Sequence, residues 1–183
     1  MQIETTPLQE CYIIRDTIFK DSRGYFFESF NQREFAGLTG IDVNFVQDNQ
    51  SCSAKGVLRG LHFQHGEFAQ AKLVRVLQGS VLDVAVDIRK NSSTFGQHFA
   101  LELSETSGTQ LYIPSGFAHG FVVLSKQAIF FYKCDNYYNK QAESGIMYND
   151  PAFKIDWRLP DEEIILSEKD KNNPLLKDIL HAL

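Results

Sequence analysis

Apolar and polar residues alternate with a period of two along the clearest run in this chain. In SVLDVAVDIR (residues 80–89), Leu82, Val84, Val86 and Ile88 fall on one face and Asp83, Ala85 and Asp87 on the other, the signature of a β-strand. Similar runs occur at GYFFESF (24–30), AKLVRVL (71–77), QHFALELS (97–104), TQLYIP (109–114) and QAIFFYKC (127–134). Their β-branched and aromatic residues suit strands, and the Gly, Asn and Ser clusters between them suit an all-β sandwich or barrel. Helical patterning is confined to residues 31–38 and to the tail, 174–183, where Pro174 fits a first helical turn. With no repeat, low-complexity tract or linker, residues 1–183 read as one β-rich domain.

Composition narrows the picture. A chain of 183 residues can bury a core without disulfide or metal staples. With 43% hydrophobic and 22% charged residues it is neither disordered nor a coiled coil, and 13% aromatics point to packed strands or stacking sites. A net charge of −5 disfavours nonspecific nucleic-acid binding but leaves room for a local basic pocket. Cys11, Cys52 and Cys134 are odd in number and scattered, which suggests neither a disulfide framework nor a zinc knuckle. The N-terminus lacks a basic-then-apolar leader, and no window approaches a membrane span, so the expected location is cytoplasmic, with no membrane partner.

The densest chemistry lies between Phe45 and Arg75. FVQDNQS (45–51) groups Gln47, Asp48 and Asn49; GVLRGLHFQHGE (56–67) brings Arg59, His62 and His65; AKLVR adds Lys72 and Arg75. A histidine beside basic residues can serve as a general base for an anionic substrate, or it can be a hydrogen-bonded core residue with the bases as rim ion pairs. Alternation puts Gly60 and Gln64 on the face of His62, and Arg59, Leu61 and Phe63 on the other unless a bulge intervenes. Asp83 and Asp87 also have two readings: solvated carboxylates, or the lining of a polar cavity.

A second segment, GTQLYIPSGFAH (108–119), resembles the second cupin motif, G-x5-P-x-G-x2-H, and Gly56-x5-His62 resembles the start of the first. That superfamily implies a double-stranded β-helix, or jelly roll, and the strand-rich pattern agrees with it. Metal-binding cupins continue the first motif H-x-H with a Glu a few residues on. Here Gln64 replaces the second His, Glu67 is misplaced, and Val123 stands where the second motif often has Asn. His62 and His119 alone are too few ligands for a stable metal site, so no metal is expected.

FKDSRGYFFESFN, FVQDNQS, VLRGLHFQ, KLVRVLQGSVLDVAVDIRKNSSTFG, IPSGFAHGFVVLS, YKCDNYYN, the Asn149-Asp150 pair and SEKD (167–170) follow one another in an order that resembles the dTDP-4-dehydrorhamnose 3,5-epimerase family over nearly the whole chain. The resemblance implies a cofactor-independent isomerase that inverts C3 and C5 of dTDP-4-dehydro-6-deoxy-D-glucose, on either side of its C4 ketone, in dTDP-L-rhamnose synthesis.

It also implies residue roles. His62 matches the general base, Asp170 the carboxylate that orients it, Tyr132 the proton donor, and Lys72 the cation near the enolate oxygen. Asp83 is a local rival for the orienting role. Arg23, Glu28, Gln47, Asp48, Asn49, Arg59, His119, Glu143 and Lys169 match positions that hold the nucleotide sugar. Arg59 and Arg23 are the natural diphosphate ligands, because guanidinium pairs bidentately with phosphate oxygens. Tyr138 matches the aromatic that stacks on thymine, with Phe19 covering the other face and Tyr137 turned away. The family is homodimeric with exchanged N-terminal strands, which would carry Phe19, Arg23 and Glu28 into the partner's site. Competing readings are a one-carbon epimerase or 3,4-ketoisomerase, a non-catalytic sugar-binding cupin, and a metal-dependent cupin oxygenase.

Overall fold

Alternating strands with one apolar face must bury that face against a second layer. In the computed structural model, which describes residues 1–182, two antiparallel sheets do so. The first sheet runs in the order Gln2–Thr5 (β1), Tyr12–Arg15 (β2), Thr109–Ile113 (β10), Lys72–Gln78 (β7), Gln127–Cys134 (β12) and Gln47–Ala54 (β5). The second runs Glu143–Gly145 (β13), Leu58–Gln64 (β6), Phe117–Val123 (β11), Ser80–Asp87 (β8) and His98–Ser104 (β9). Val74, Val76 and Phe130 from the first sheet meet Val81, Ala85, Phe121 and Leu103 from the second in the central core. This is the cupin jelly roll expected from the sequence. A separate hairpin, Phe19–Asp21 (β3) with Gly24–Phe26 (β4), forms its own two-stranded sheet.

Both sheets are covered on their outer faces as well. Helix α1, Gln32–Thr39, starts where Asn31 Oδ1 accepts from the Glu34 N–H (3.1 Å) and ends at Gly40, whose φ of 74° suits a left-handed cap. It lays the fully buried Phe35 on Ile14, Leu73 and Tyr112 of the first sheet. Truncating such a core phenylalanine to alanine costs about 3–5 kcal/mol. On the second sheet, Leu82, Val84, Val86 and Ile88 face outward from β8 as the alternation requires, but they pack under Ile146, Phe153, Trp157 and Leu176 of the C-terminal segment.

Two expected elements are shorter than their patterns. The strand expected over 24–30 ends at Phe26, because the chain then turns: Phe27 packs under the Arg75 guanidinium (5.0 Å to the ring centroid) and Glu28 accepts from Asn31 Nδ2 (3.0 Å). The tail helix, α2, covers only Leu176–Ile179, followed by a 3₁₀ turn at Leu180–Ala182; Leu183, also assigned to this helix, lies outside the described residues. Pro174 precedes the helix rather than opening it, because its carbonyl accepts from the Met147 N–H (2.8 Å). Among the described residues no helix is long and apolar enough to cross a membrane.

Candidate active site

Strand β5, QDNQSCSA, is polar throughout, and the reason is what it faces. Gln47, Asn49 and Ser51 turn toward a cavity of about 450 Å³ between the sheets, while Asp48 and Cys52 turn out. Pockets that enclose small ligands have this scale. Lys72 and Tyr132 reach into the cavity from β7 and β12, and Arg59, His62 and His119 reach in from β6 and β11 on the facing sheet. Tyr138 and Glu143 stand at its mouth.

Arg59 and His62 share this cavity because β6 is bulged. His119 of β11 pairs with His62, but Phe121, two residues on, pairs with Arg59, three residues back. The extra residue turns Arg59 onto the face of His62. Gly60 sits in the bulge at φ 137°, and a Cβ there would come within 2.5 Å of Gly120 Cα. No other residue fits so close to the facing backbone.

His62 Nε2 lies 2.5 Å from Asp170 Oδ1, and Ser167 Oγ donates to the other oxygen of Asp170 at 2.8 Å. Burial pushes the Asp170 carboxyl up. The hydrogen bond and charge of His62, the Ser167 hydroxyl and the Lys169 ammonium outweigh it and hold the group below the usual aspartate value. The rival partner, Asp83, is fully buried on the interior face of β8 and bonds instead to His119 Nε2 at 2.8 Å. Asp83 is therefore neither solvated nor part of the cavity lining; it lies inside the barrel behind His119. Asp87 is equally buried and also outside the lining: its oxygens are taken by Arg89, Ser92 and Thr94.

Tyr132 lies on the interior face of β12 beside Phe130 (centroids 6.0 Å apart), with Lys72 Nζ 6.0 Å from its ring centroid. Burial raises its phenol above the ordinary value, so it keeps its proton at neutral pH. Burial also lowers the Lys72 ammonium, against the opposing charges of Cys134, Asp83 and Glu143. At the mouth, Glu143 accepts from the Tyr138 hydroxyl (3.0 Å) and pairs with Lys169 (2.5 Å).

The remaining expected binding residues lie apart in this chain. Asp48 pairs with Lys133 (2.7 Å) on the outer face of β5. Arg23 is exposed on the β3–β4 hairpin, where it pairs with Asp21 (2.6 Å), and Phe19 and Glu28 are exposed with it. His65 bonds Ser144 Oγ (2.7 Å) and is absent from the cavity lining.

Sequence reasoning missed Gln50, Ser51, Gln70 and Phe121 in the lining, and Ser53, whose hydroxyl accepts from Arg59 at 3.2 Å. Ser167 could have been found, since S-x-x-D is a capping pattern and its hydroxyl accepts from the Asp170 N–H (3.1 Å). Gln64, in place of a metal cupin's second histidine, is tied into the loops: it donates to the Phe68 carbonyl (2.7 Å) and accepts from the Asn139 N–H (2.7 Å). Among the described residues no three His, Cys, Asp or Glu side chains gather as a metal site.

The sequence pattern of the dTDP-4-dehydrorhamnose 3,5-epimerase family matches residues 5–178. The dTDP-4-dehydrorhamnose 3,5-epimerase of Salmonella typhimurium is 52% identical over 183 residues, which cover 98% of each chain. The solved structure of the enzyme of that name from Elizabethkingia anophelis is 56% identical, covers 97% of each chain and superposes with a TM-score of 0.95. The dTDP-6-deoxy-D-glucose-3,5-epimerase of Legionella pneumophila, solved in complex with dTDP-4-keto-L-rhamnose, is 50% identical with a TM-score of 0.92, covering 96% of this chain and 93% of that one.

Proposed function

The chain belongs to the dTDP-4-dehydrorhamnose 3,5-epimerase family, and from that membership we propose how its residues act. It inverts C3 and C5 of dTDP-4-dehydro-6-deoxy-D-glucose to give dTDP-4-dehydro-L-rhamnose, and His62 is the base while Tyr132 is the acid. The observation that carries this reading is that His62 and Tyr132 line one cavity from opposite sheets. An epimerase must take a proton from one face of the sugar ring and return one to the other.

His62 removes the proton from a carbon beside the C4 ketone, and the C–H electron pair moves onto the ketone oxygen as an enolate. Asp170 stabilises the resulting imidazolium and fixes the ring. Lys72 supports the charge on oxygen, where a preorganised cation stabilises the transition state more than the neutral ketone. The Tyr132 hydroxyl then gives its proton to the opposite face of the same carbon. Solvent returns that proton to Tyr132 and accepts the one held by His62, so each inversion exchanges hydrogen with water.

Arg59 is the diphosphate ligand from within the chain, Tyr138 the thymine platform and His119 a contact to the sugar. Gln47, Asn49, Glu143 and Lys169 complete the nucleotide-sugar contacts, while the side chain of Asp48 faces outward on Lys133 and makes none in this cavity. The whole chain, residues 1–183, works as one epimerase unit in a homodimer. The hairpin that holds Phe19 and Arg23, with Glu28 just beyond it, reaches the partner's cavity, a reading supported by the exposure of Phe19, Tyr25 and Phe26 (63%, 69% and 71%). Three free cysteines fit a cytoplasmic enzyme.

The test is proton NMR of dTDP-4-dehydro-6-deoxy-D-glucose with the protein in D₂O. Deuterium at both C3 and C5, with the L-sugar trapped by a reductase, is the expected result. Label at one carbon only would reassign the chain to one-carbon epimerisation, and binding without label would leave a sugar-binding cupin.

A further inference from the structure

The interior face of β8 carries Val81, Asp83 and Ala85 in a row, and all three are fully buried. A valine at the middle position would continue the core. A carboxylate there is costly unless its oxygens are paired. Only half of that requirement is met: Oδ1 has His119 Nε2 at 2.8 Å, and Oδ2 is buried with no partner among the described residues.

His119 is held by more than this bond. It pairs across the β6–β11 ladder with His62, so the two imidazoles stand side by side in one wall of the cavity. Its ring is stacked 6.0 Å from Phe130, which itself lies 4.1 Å from Phe121 in a near-parallel stack. Aromatic plates limit its rotation, and the carboxylate makes Nε2 the proton-bearing nitrogen.

We propose that Asp83 is a positioning residue for the epimerisation: it holds the His119 proton on Nε2, so that Nδ1 of this second imidazole, beside the base, accepts from a sugar hydroxyl and fixes the ring against His62 and Lys72. The inference rests on the epimerase reading of the cavity. It gives Asp83 a task that a core residue lacks: an acceptor that keeps the proton on Nε2 of His119 and leaves Nδ1 free for the sugar. Burial disfavours the cationic forms of both His119 and Lys72, and Asp83 opposes burial at both. A purely structural Asp83 would affect stability and leave turnover unchanged.

The experiment compares the full-length wild type with Asp83→Asn, which keeps side-chain size and removes the charge. Deuterium incorporation at C3 and C5 is followed over a range of substrate concentrations, beside thermal unfolding and ¹⁵N NMR of His119. The expected result is a kcat about 10–100-fold lower at both carbons with KM changed less than about 3-fold, in a folded protein. A folded Asp83→Asn with wild-type kcat overturns the proposal. Should the variant fail to fold, the wild-type spectrum decides: a proton on Nε2 of His119 supports the proposal, and a proton on Nδ1 alone overturns it. A wild type that exchanges no deuterium overturns the epimerase reading itself, and this inference with it.

Discussion

His62 and Asp170 meet at 2.5 Å although 108 residues separate them. The strand supplies one and a 3₁₀ turn near the C-terminus, Asp170–Asn172, supplies the other, so the dyad exists only when the tail has docked. Asp170→Asn keeps the shape of the pair and removes the charge that supports an imidazolium. The expected outcome is a kcat lower by about 10²–10⁴-fold with KM nearly unchanged, read as deuterium incorporation at C3 and C5. Equal losses at both carbons are expected, because one base serves both. A loss confined to one carbon would mean that another group removes the second proton.

Tyr132→Phe should separate proton removal from proton return. The ring stays packed beside Phe130, so the fold and nucleotide affinity are expected to survive. Proton removal by His62 continues, but the opposite face has no donor. Substrate incubated in D₂O should then exchange hydrogen by return to the same face, while formation of the L-sugar falls by about 10²–10⁴-fold. Unimpaired inversion would show that the donor is some other cavity group.

How much of this was legible in the sequence depended on what each strand faces. Strand β12, Gln127–Cys134, was readable to the residue because its interior face is apolar and its ends are polar. Strand β5 carries no apolar alternation, since Gln47, Asn49 and Ser51 line the cavity, so its polarity hid the strand while marking the site. Strand β11, Phe117–Val123, is buried on both faces and so has no period to read; it was visible only as a motif. The dyad partners were beyond local reasoning altogether. Asp83 and Asp170 were rival partners for His62, and the pairing of β8 with β11, His119 opposite Ala85 and Phe121 opposite Asp83, is what assigned Asp83 to His119. The bulge at Gly60 left no signal beyond the glycine itself.

If the exposed hairpin completes the partner's cavity, two inactive variants should repair one another. Arg23→Ala removes a contact on the arm, and His62→Ala removes the base within the barrel. Random re-pairing of an equal mixture makes about half of the dimers hybrid, each with one intact and one doubly defective site, so about a quarter of wild-type activity should return. The measurement is turnover after mixing and subunit exchange. Failure of repair, with exchange verified by mass, would place Arg23 in the cavity of its own chain or outside any site.

The alkaline limb of the pH profile should belong to Lys72. Burial lowers its ammonium below 10.5, the ordinary lysine value, against the charges of Cys134, Asp83 and Glu143 that favour it. A lysine with a lowered pKa loses its proton earlier as pH rises, so the cation that supports the enolate is lost at a lower pH than an ordinary lysine's would be. Tyr132 is shifted the other way, its phenol raised above 10 by burial, and so ionises later than an ordinary tyrosine. In kcat/KM against pH, wild type should thus fall on the alkaline side with a midpoint below the ordinary lysine value. Lys72→Arg keeps a positive charge that does not titrate in this range, so its activity, lower by about 10–100-fold because a planar fork replaces a compact ammonium, should persist to higher pH. Lys72→Met should lose about 10²–10³-fold in kcat at every pH and show no lysine limb. An alkaline limb that stays in place in Lys72→Arg would assign the titration, and the charge at the enolate oxygen, to a different group.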